Sequence, residues 1–306
     1  MVRLTAIVPA TNRPATLERC VGAIQAAETP PEEVIVVTEA PGPGPAAARN
    51  EGARRAGGDV LVFVDADVLP RPDAFARIRA AFTEDPGLVA LIGSYDDAPE
   101  APGVVSRFRN LLHHHTHQLA GGSAETFWAG LGAVRRNAFL AVGGFDQERY
   151  RVPSVEDIDL GLRLGAEGAT IRLDPALQGT HLKAWTLAEM VRTDLLRRGI
   201  PWIGLLLRSG RRSQALNLGW RQRLSAAASV LVAGALLARR AGVAASALLA
   251  LVALNRRFYA LLSRRLGPGA AALGVALHVL HYLVSALALP LGVLAHLWER
   301  RGRRTG

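Results

Sequence analysis

The chain has 306 residues, half of them hydrophobic, enough for one large domain or two smaller ones with a sizeable core. Its formal charge is +10, supplied almost wholly by arginine, and Cys20 is the single cysteine, which excludes an intrachain disulfide and fits a reducing compartment. The charge does not read as a nucleic-acid face. The pairs Arg211-Arg212, Arg239-Arg240, Arg256-Arg257, Arg264-Arg265 and Arg303-Arg304 flank apolar runs, as juxtamembrane arginines do against anionic lipid. A membrane, and no nucleic acid, is the expected partner.

The first apolar run, Leu4 to Val8, is cut off by Pro9 and Asn12. It is too short for the apolar part of a signal peptide and reads as a buried strand. Pro14 to Gln25 reads as a helix with Leu17, Val21 and Ile24 on one face. Val34 to Val37 is a second buried strand, Ala40 to Pro45 a loop of alternating Pro and Gly, and Ala46 to Ala56 a helix of small residues. Val60 to Val64 is a third strand running into Asp65-Ala66-Asp67, and Ala74 to Phe82 is a helix. Continuous apolar strands alternating with helices predict a parallel sheet covered on both faces. In such sheets ligands bind beyond the carboxyl ends of the strands, where Asp65, Asp67 and the Pro9-to-Arg13 turn fall. The first Gly-rich loop is not GxGxxG, so a dinucleotide site is not expected.

Between Ser123 and Thr180 the signals are mixed. Gly130, Gly132, Gly143 and Gly144 point to tight backbone near a ligand or to sharp turns. Ser154 to Leu164 reads as a helix in which Ser154 and Asp157 have capping-box spacing. Ile171 to Gly179 reads as a strand or turn leading to His181. In the tail, Leu224–Ala238 and Ala241–Leu254 are short for spanning a bilayer, whereas Ala270–Trp298, after a break at Gly267-Pro268-Gly269, is long enough.

Asp65-Ala66-Asp67 is the sharpest local signal. Residues two apart in an extended segment point the same way, so two carboxylates converge at the ligand edge, a setting for Mg²⁺ or Mn²⁺ bridging a phosphate. Glu156-Asp157 opens a helix, where a carboxylate serves equally as a general base or as a cap favoured by the helix dipole. His181 taken alone is a structural histidine more often than a metal ligand. The run His113-His114-His115-Thr116-His117 has metal-binding composition, but without carboxylates nearby in sequence it reads as a solvated helix end. Trp128, before Gly130, reads equally as a stacking platform or a core residue.

In order along the first two-thirds of the chain, these segments resemble inverting glycosyltransferases of family 2, with the GT-A fold. Ile7 to Arg13 is similar to the opening strand and nucleotide loop of that family, Ala48-Arg49-Asn50-Glu51-Gly52-Ala53 to its ARNxGA helix, and Asp65-Ala66-Asp67 to its DxD motif. Trp128-Ala129-Gly130 and Val142-Gly143-Gly144-Phe145-Asp146 resemble its acceptor-side segment. Glu156 to Leu160 resembles its ED motif, and His181 sits where many members carry a histidine on the metal or diphosphate. His278 to Gly292 resembles the apolar C-terminal segment of bacterial membrane-attached members.

The resemblance implies a GT-A type mixed, mostly parallel sheet covered by helices, in a catalytic domain over 1–210, with a membrane-associated helical region over 211–306. It implies a nucleotide site at Pro9, Thr11, Asn12, Arg13, Glu39, Arg49, Asn50 and Asp65, and a divalent cation (Mg²⁺ or Mn²⁺) on Asp65, Asp67 and His181. Asp157 is implied as the catalytic base, with Trp128, Gly130 and Glu156 on the acceptor and sugar side. The expected reaction transfers a sugar from a nucleotide-sugar donor to a hydroxyl, with inversion. The tail favours a lipid or lipid-linked acceptor and an inner-membrane location in a bacterial cell, with the catalytic domain facing the cytoplasm. The second strand ends in Thr38-Glu39 where the family has Asp-Asp, so uridine is not assumed, and the QxxRW motif of processive synthases is absent, which favours single transfer. The competing readings are a non-catalytic membrane scaffold derived from a transferase and a sugar nucleotidyltransferase.

Overall fold

The computed structural model describes residues 2–210 and 219–302; the pairs Arg211-Arg212 and Arg303-Arg304 lie outside the described residues. The chain divides into two compact units. One comprises Met1–Ala101 and His113–Lys183, the other Pro102–Leu112 and Ala184–Gly306.

The first unit is built on eight strands: β1 (Leu4–Pro9), β2 (Glu33–Val37), β3 (Val60–Val64), β4 (Val68–Pro70), β5 (Leu88–Tyr95), β6 (Gly122–Ser123), β7 (Leu131–Arg135) and β8 (Thr170–His181). They form a sheet in the order β2-β1-β3-β7-β5-β8-β4, with β6 beside β8. β1 runs parallel to β2 and β3. β7 is antiparallel to both β3 and β5. β5 and β8 are parallel again, and β4 closes the edge antiparallel to β8. The sheet is therefore mixed, as the resemblance implies, and not wholly parallel as strand composition alone predicts.

Its helices are α1 (Leu17–Gln25), α2 (Gly44–Arg55), α3 (Ala74–Glu84), α4 (Val104–Leu119), α5 (Arg136–Ala141) and α6 (Glu156–Ala166). β3 is buried at every position and shares its core cluster with Val8, Ile24, Phe75, Ile78 and Leu91. α4 is continuous across the division: its residues through Leu112 belong to the second unit and those from His113 to the first.

The second unit continues with α7 (Leu187–Arg192), a π-helical turn (Thr193–Gly199), α8 (Ile200–Ser209), α9 (Trp220–Leu237), α10 (Ala241–Leu254), α11 (Arg256–Leu266) and α12 (Pro268–Gly302). Pro201, whose ring and missing N–H disfavour a regular preceding turn, stands just after the widened one. Among the described residues α12 is the one helix long and apolar enough by itself to cross a bilayer. α10 and α11 meet at an 80° bend. α11 buries Phe258, Leu261 and Leu262 while Arg256, Arg257, Arg264 and Arg265 stay exposed, an amphipathic pattern.

The interior of this unit is not purely apolar. Arg109 donates to Asp194, 2.8 Å away, and the His281 imidazole lies 2.9 Å from the same carboxylate. Burial opposes the ionised form, yet Arg109 and then His281 hold the Asp194 carboxyl well below the usual carboxylate range. Phe108 and Leu111, on the first half of α4, are buried in a cluster with Phe258, Leu262 and Leu277.

A chain ended at residue 210 loses those partners. Each fully buried apolar side chain is worth roughly 1.5–3 kcal/mol, and Asp194 loses His281. The 1–210 fragment is therefore expected to aggregate, and size-exclusion chromatography of the expressed fragment checks this. A monodisperse fragment would mean that the tail does not complete this cluster.

Candidate active site

The site begins where β3 ends. After Val64 the chain turns at Asp65-Ala66-Asp67, with the Val68 N–H donating to the Asp65 carbonyl. Cys20 lies buried beside this turn, its Sγ 3.5 Å from the Asp65 carbonyl oxygen. Burial first, and then the charges of Asp65 and Asp67, push the Cys20 thiol up to about 12, so it is an inert structural thiol.

β4 follows at once and pairs antiparallel with the end of β8 in the register Val68 to His181. The Leu182 N–H donates to the Asp67 carbonyl. This pairing carries His181 across 114 positions of sequence to the second aspartate, with His181 Nε2 3.7 Å from Asp67 Oδ2. Burial raises the Asp67 carboxyl, but His181, and then Lys183, outweigh it and hold it below its ordinary value.

One short backbone strap, Trp128-Ala129-Gly130, joins the first aspartate to Asp157. The Gly130 carbonyl accepts from the Asp65 N–H (3.1 Å), and the Ala129 N–H donates to Asp157 Oδ2 (3.4 Å). Gly130 is required because a Cβ there would strike the Trp128 ring. Asp157 stands in the first turn of α6, and its other oxygen accepts from the Ile158 N–H. One turn on, Gly161 lets the helix touch the chain just before the strap, where any Cβ would collide with the backbone of Thr126 and Phe127. Asp157 is on the same helix face, so this contact presses it toward the strap.

The expected capping box does not form. The N-cap is Val155 and makes no side-chain bond, while Glu156 turns back to accept from the Ser154 N–H. The Asp157 carboxylate is thus not spent on the box. Burial, and then the charge of Glu156, push its carboxyl up to about 7 despite the opposing charge of Arg49.

Arg49, on α2, is buried between the two acidic motifs. Its Nη2 donates to Asp65 (2.7 Å) and its Nη1 to Glu156 (3.0 Å), and its guanidinium lies over the Phe145 ring. Asn50, the next residue, faces elsewhere. It accepts from the Phe145 N–H and donates to the Phe145 carbonyl and to Gln147, which pins the Gly143-to-Gln147 loop on α2. A groove of about 640 Å³ lined by Asn50, Arg54, Phe139, Gly144, Gln147 and Arg163 adjoins that loop but includes none of Asp65, Asp67, Asp157 or His181.

Thr11, Asn12 and Arg13 form an exposed turn beyond β1, with Pro9 half-buried at its start and Arg13 in the left-handed region (φ 45°). Glu39 is exposed after β2. Asp65, Asp67, Asp157, Glu156, Arg49, His181 and the Trp128–Gly130 strap form one connected network; Asn50 belongs to the adjacent loop.

Among the described residues no group of three His, Cys, Asp or Glu side chains is arranged to hold an ion. Asp65, expected as a metal ligand, has one oxygen on Arg49. Asp67 and His181 remain as a pair. Two ligands each about 2.1 Å from one ion lie at most about 4.2 Å apart, and Mg²⁺-like ions characteristically take one or two protein ligands and complete their shell with phosphate and water. The pair fits such a shared ion.

The His113-to-His117 run is not the solvated helix end that its composition predicts. His117 is buried with its Nδ1 2.8 Å from the Gly93 carbonyl oxygen, and His114 places its Nδ1 2.8 Å from that of Tyr95. A carbonyl only accepts, so each Nδ1 carries the proton. Burial lowers the His117 pKa to about 4 and keeps it neutral.

Residues 38–143 match the family described as Glycosyl transferase family 2. Pre-mycofactocin glycosyltransferases from two strains of Mycobacterium tuberculosis are each 29% identical to the chain over 150 residues, which is 45% of this chain and 30% of theirs. The matched stretch thus spans under a third of those relatives. Among solved structures, a mannosyltransferase from Pyrobaculum calidifontis in complex with GDP-Man and Mn²⁺ superposes with a TM-score of 0.53 at 17% identity, over 97% of this chain and 88% of that one. That likeness is one of fold.

Proposed function

We propose that this chain is a family 2 glycosyltransferase with the GT-A fold, and that it transfers a sugar from a nucleoside-diphosphate donor to a hydroxyl acceptor, with inversion at the anomeric carbon. The observation that carries this reading is the strap Trp128-Ala129-Gly130, which ties the aspartate turn at the end of β3 to the buried carboxylate of Asp157.

Asp157 takes the proton of the acceptor hydroxyl as that oxygen attacks the anomeric carbon. The bond from that carbon to the diphosphate oxygen breaks on the opposite side, and its electron pair leaves with the nucleoside diphosphate. A single displacement by a base-activated hydroxyl inverts the centre. Thr11, Asn12, Arg13 and Glu39 lie on the turns after β1 and β2 and are assigned to the nucleotide. Asp67 and His181 would hold a divalent cation, Mg²⁺ or Mn²⁺, whose charge offsets that developing on the leaving diphosphate. Arg49, buried on Asp65 and Glu156, acts as a brace between the motifs and not as a nucleotide contact. Trp128 offers its ring on the sugar side.

A lipid or lipid-linked acceptor fits a second unit that carries α12 and the exposed arginines of α11. Such arginines against an anionic leaflet favour attachment to the bacterial inner membrane with the catalytic unit in the cytoplasm.

The test is a melting-temperature screen of the detergent-solubilised protein with nucleoside diphosphates, with and without Mn²⁺, since a ligand of the folded state raises its stability by mass action. A Mn²⁺-dependent rise with one nucleotide is expected. Asp67→Asn should abolish that dependence and lower transfer by at least about 10²-fold, the scale of losing one charge-stabilising group. Normal Mn²⁺ dependence in this variant would remove Asp67 from the metal role. Release of pyrophosphate in turnover, in place of a nucleoside diphosphate, would make the enzyme a nucleotidyltransferase.

A further inference from the structure

The reaction above uses His181 but not the ring layer packed behind it. Tyr95 is the last residue of β5, and its ring lies flat on the His181 imidazole, with centroids 4.2 Å apart and planes 9° from parallel. The Tyr95 ring also meets the edge of Trp128 at 5.0 Å and tilts against His113 at 4.2 Å. His113 in turn contacts Trp128 and His117. The backbone under this layer is held at two points by α4, through His117 on the Gly93 carbonyl and His114 on the Tyr95 carbonyl. The layer thus runs from His181 to Trp128, the first residue of the strap that carries Asp65 and Asp157.

We propose that Tyr95 is a positioning residue of the metal and diphosphate site: its ring fixes the plane of the His181 imidazole so that Nε2 stays aimed at Asp67. This inference rests on the reading of His181 as a ligand. The physical argument is one of torsional freedom. The terminal torsion of histidine is broad, and His181 Nε2 stands 3.7 Å from Asp67 Oδ2, beyond hydrogen-bond range, so that contact does not fix the ring. A parallel aromatic neighbour removes that freedom, whereas an aliphatic side chain of equal volume permits ring rotation. The contact needs the ring and not the tyrosine hydroxyl, so phenylalanine serves in its place.

The experiment measures Mn²⁺ alone binding to the full chain in detergent, with the free ion counted by electron paramagnetic resonance. Tyr95→Met keeps a long apolar side chain and removes the ring, Tyr95→Phe keeps the ring, and Asp67→Asn and His181→Gln are the references. Outer groups that orient metal ligands typically contribute 10- to 100-fold in affinity. Tyr95→Met is expected to weaken Mn²⁺ binding by about that much, and Tyr95→Phe to bind like the original chain.

If Asp67→Asn and His181→Gln leave Mn²⁺ binding unchanged, the ligand reading itself fails. If those two abolish binding while Tyr95→Met keeps it, the ligand reading stands and the role of Tyr95 is overturned. Loss in Tyr95→Phe equal to that in Tyr95→Met would also overturn it, because the hydroxyl and not the ring would then be at work. A second measurement needs no substitution at Tyr95. In the unaltered chain with labelled histidine, the ring protons of His181, assigned by their disappearance in His181→Gln, should be shifted upfield by the tyrosine ring current; an unshifted signal refutes the stack.

Discussion

Asp157→Asn is expected to bind the donor as the original chain does and to lose transfer by about 10²- to 10⁴-fold, the range for removing a general base. The amide keeps the shape of the carboxylate but has a single acceptor oxygen where the Ala129 and Ile158 N–H groups use two, so one of these bonds is lost at a cost of about 1 kcal/mol while the fold at the start of α6 should persist. What it lacks is the ability to take a proton. The carboxyl is suited to that task because burial and the neighbouring Glu156 raise it to about 7, although the amino end of a helix alone would lower it.

The sign for activity follows directly. A base works only when ionised, so transfer by the original chain should climb about tenfold per pH unit below about 7 and level off above it. Asp157→Asn should lose that limb. Donor affinity by calorimetry and transfer rates from pH 5 to 8 make the comparison. A collapse of donor binding in the variant would mark Asp157 as a structural group, and a rate independent of pH across the window would remove it as the base.

Much of the ligand edge was legible because its signals are local. β3 is five apolar residues followed by two aspartates, and its bounds match the expected ones. α6 begins two residues later than its pattern predicts, because Val155 and not Ser154 becomes the cap. What stayed hidden is mostly long-range or carried by backbone. The strap works through the Ala129 N–H and the Gly130 carbonyl, atoms every residue has. Arg49 is 107 positions from Glu156, and no spacing announces that pairing. β5 and β7 escaped notice because each holds a glycine inside a short run: Gly93 has the Leu177 carbonyl against it, and Gly132 the Trp128 carbonyl, leaving no room for a side chain.

The histidine run did carry a usable signal. His113 and His117 are four apart and so share one helix face, and that face is the one turned to Trp128. In the tail, the two arginine pairs of 256–265 read as flanks of separate apolar runs. They are instead the two ends of one amphipathic helix, since the intervening Phe258, Leu261 and Leu262 all turn inward.

Arg49→Met is expected to damage stability and turnover together. Arg49 is 5% exposed, and its guanidinium separates two carboxylates that would otherwise face each other in a poorly solvated site. Removing one partner of a buried pair costs about 3–5 kcal/mol, mostly because the remaining charge is left unpaired. Glu156 is that charge; Asp65 is less buried and can be partly rescued by water. Arg49→Lys is the informative companion. An ammonium keeps the charge but lacks the planar fork that reaches two carboxylates at once. It should fold with a smaller loss of stability and still turn over poorly, because Asp65 or Glu156 must go unbridged. Adding Glu156→Gln to Arg49→Met removes the stranded charge, so stability should recover in part while transfer does not. Urea denaturation and transfer assays on the three variants decide the matter. Full activity in Arg49→Lys would show that charge alone suffices and that the two-pronged brace has no part in holding the site.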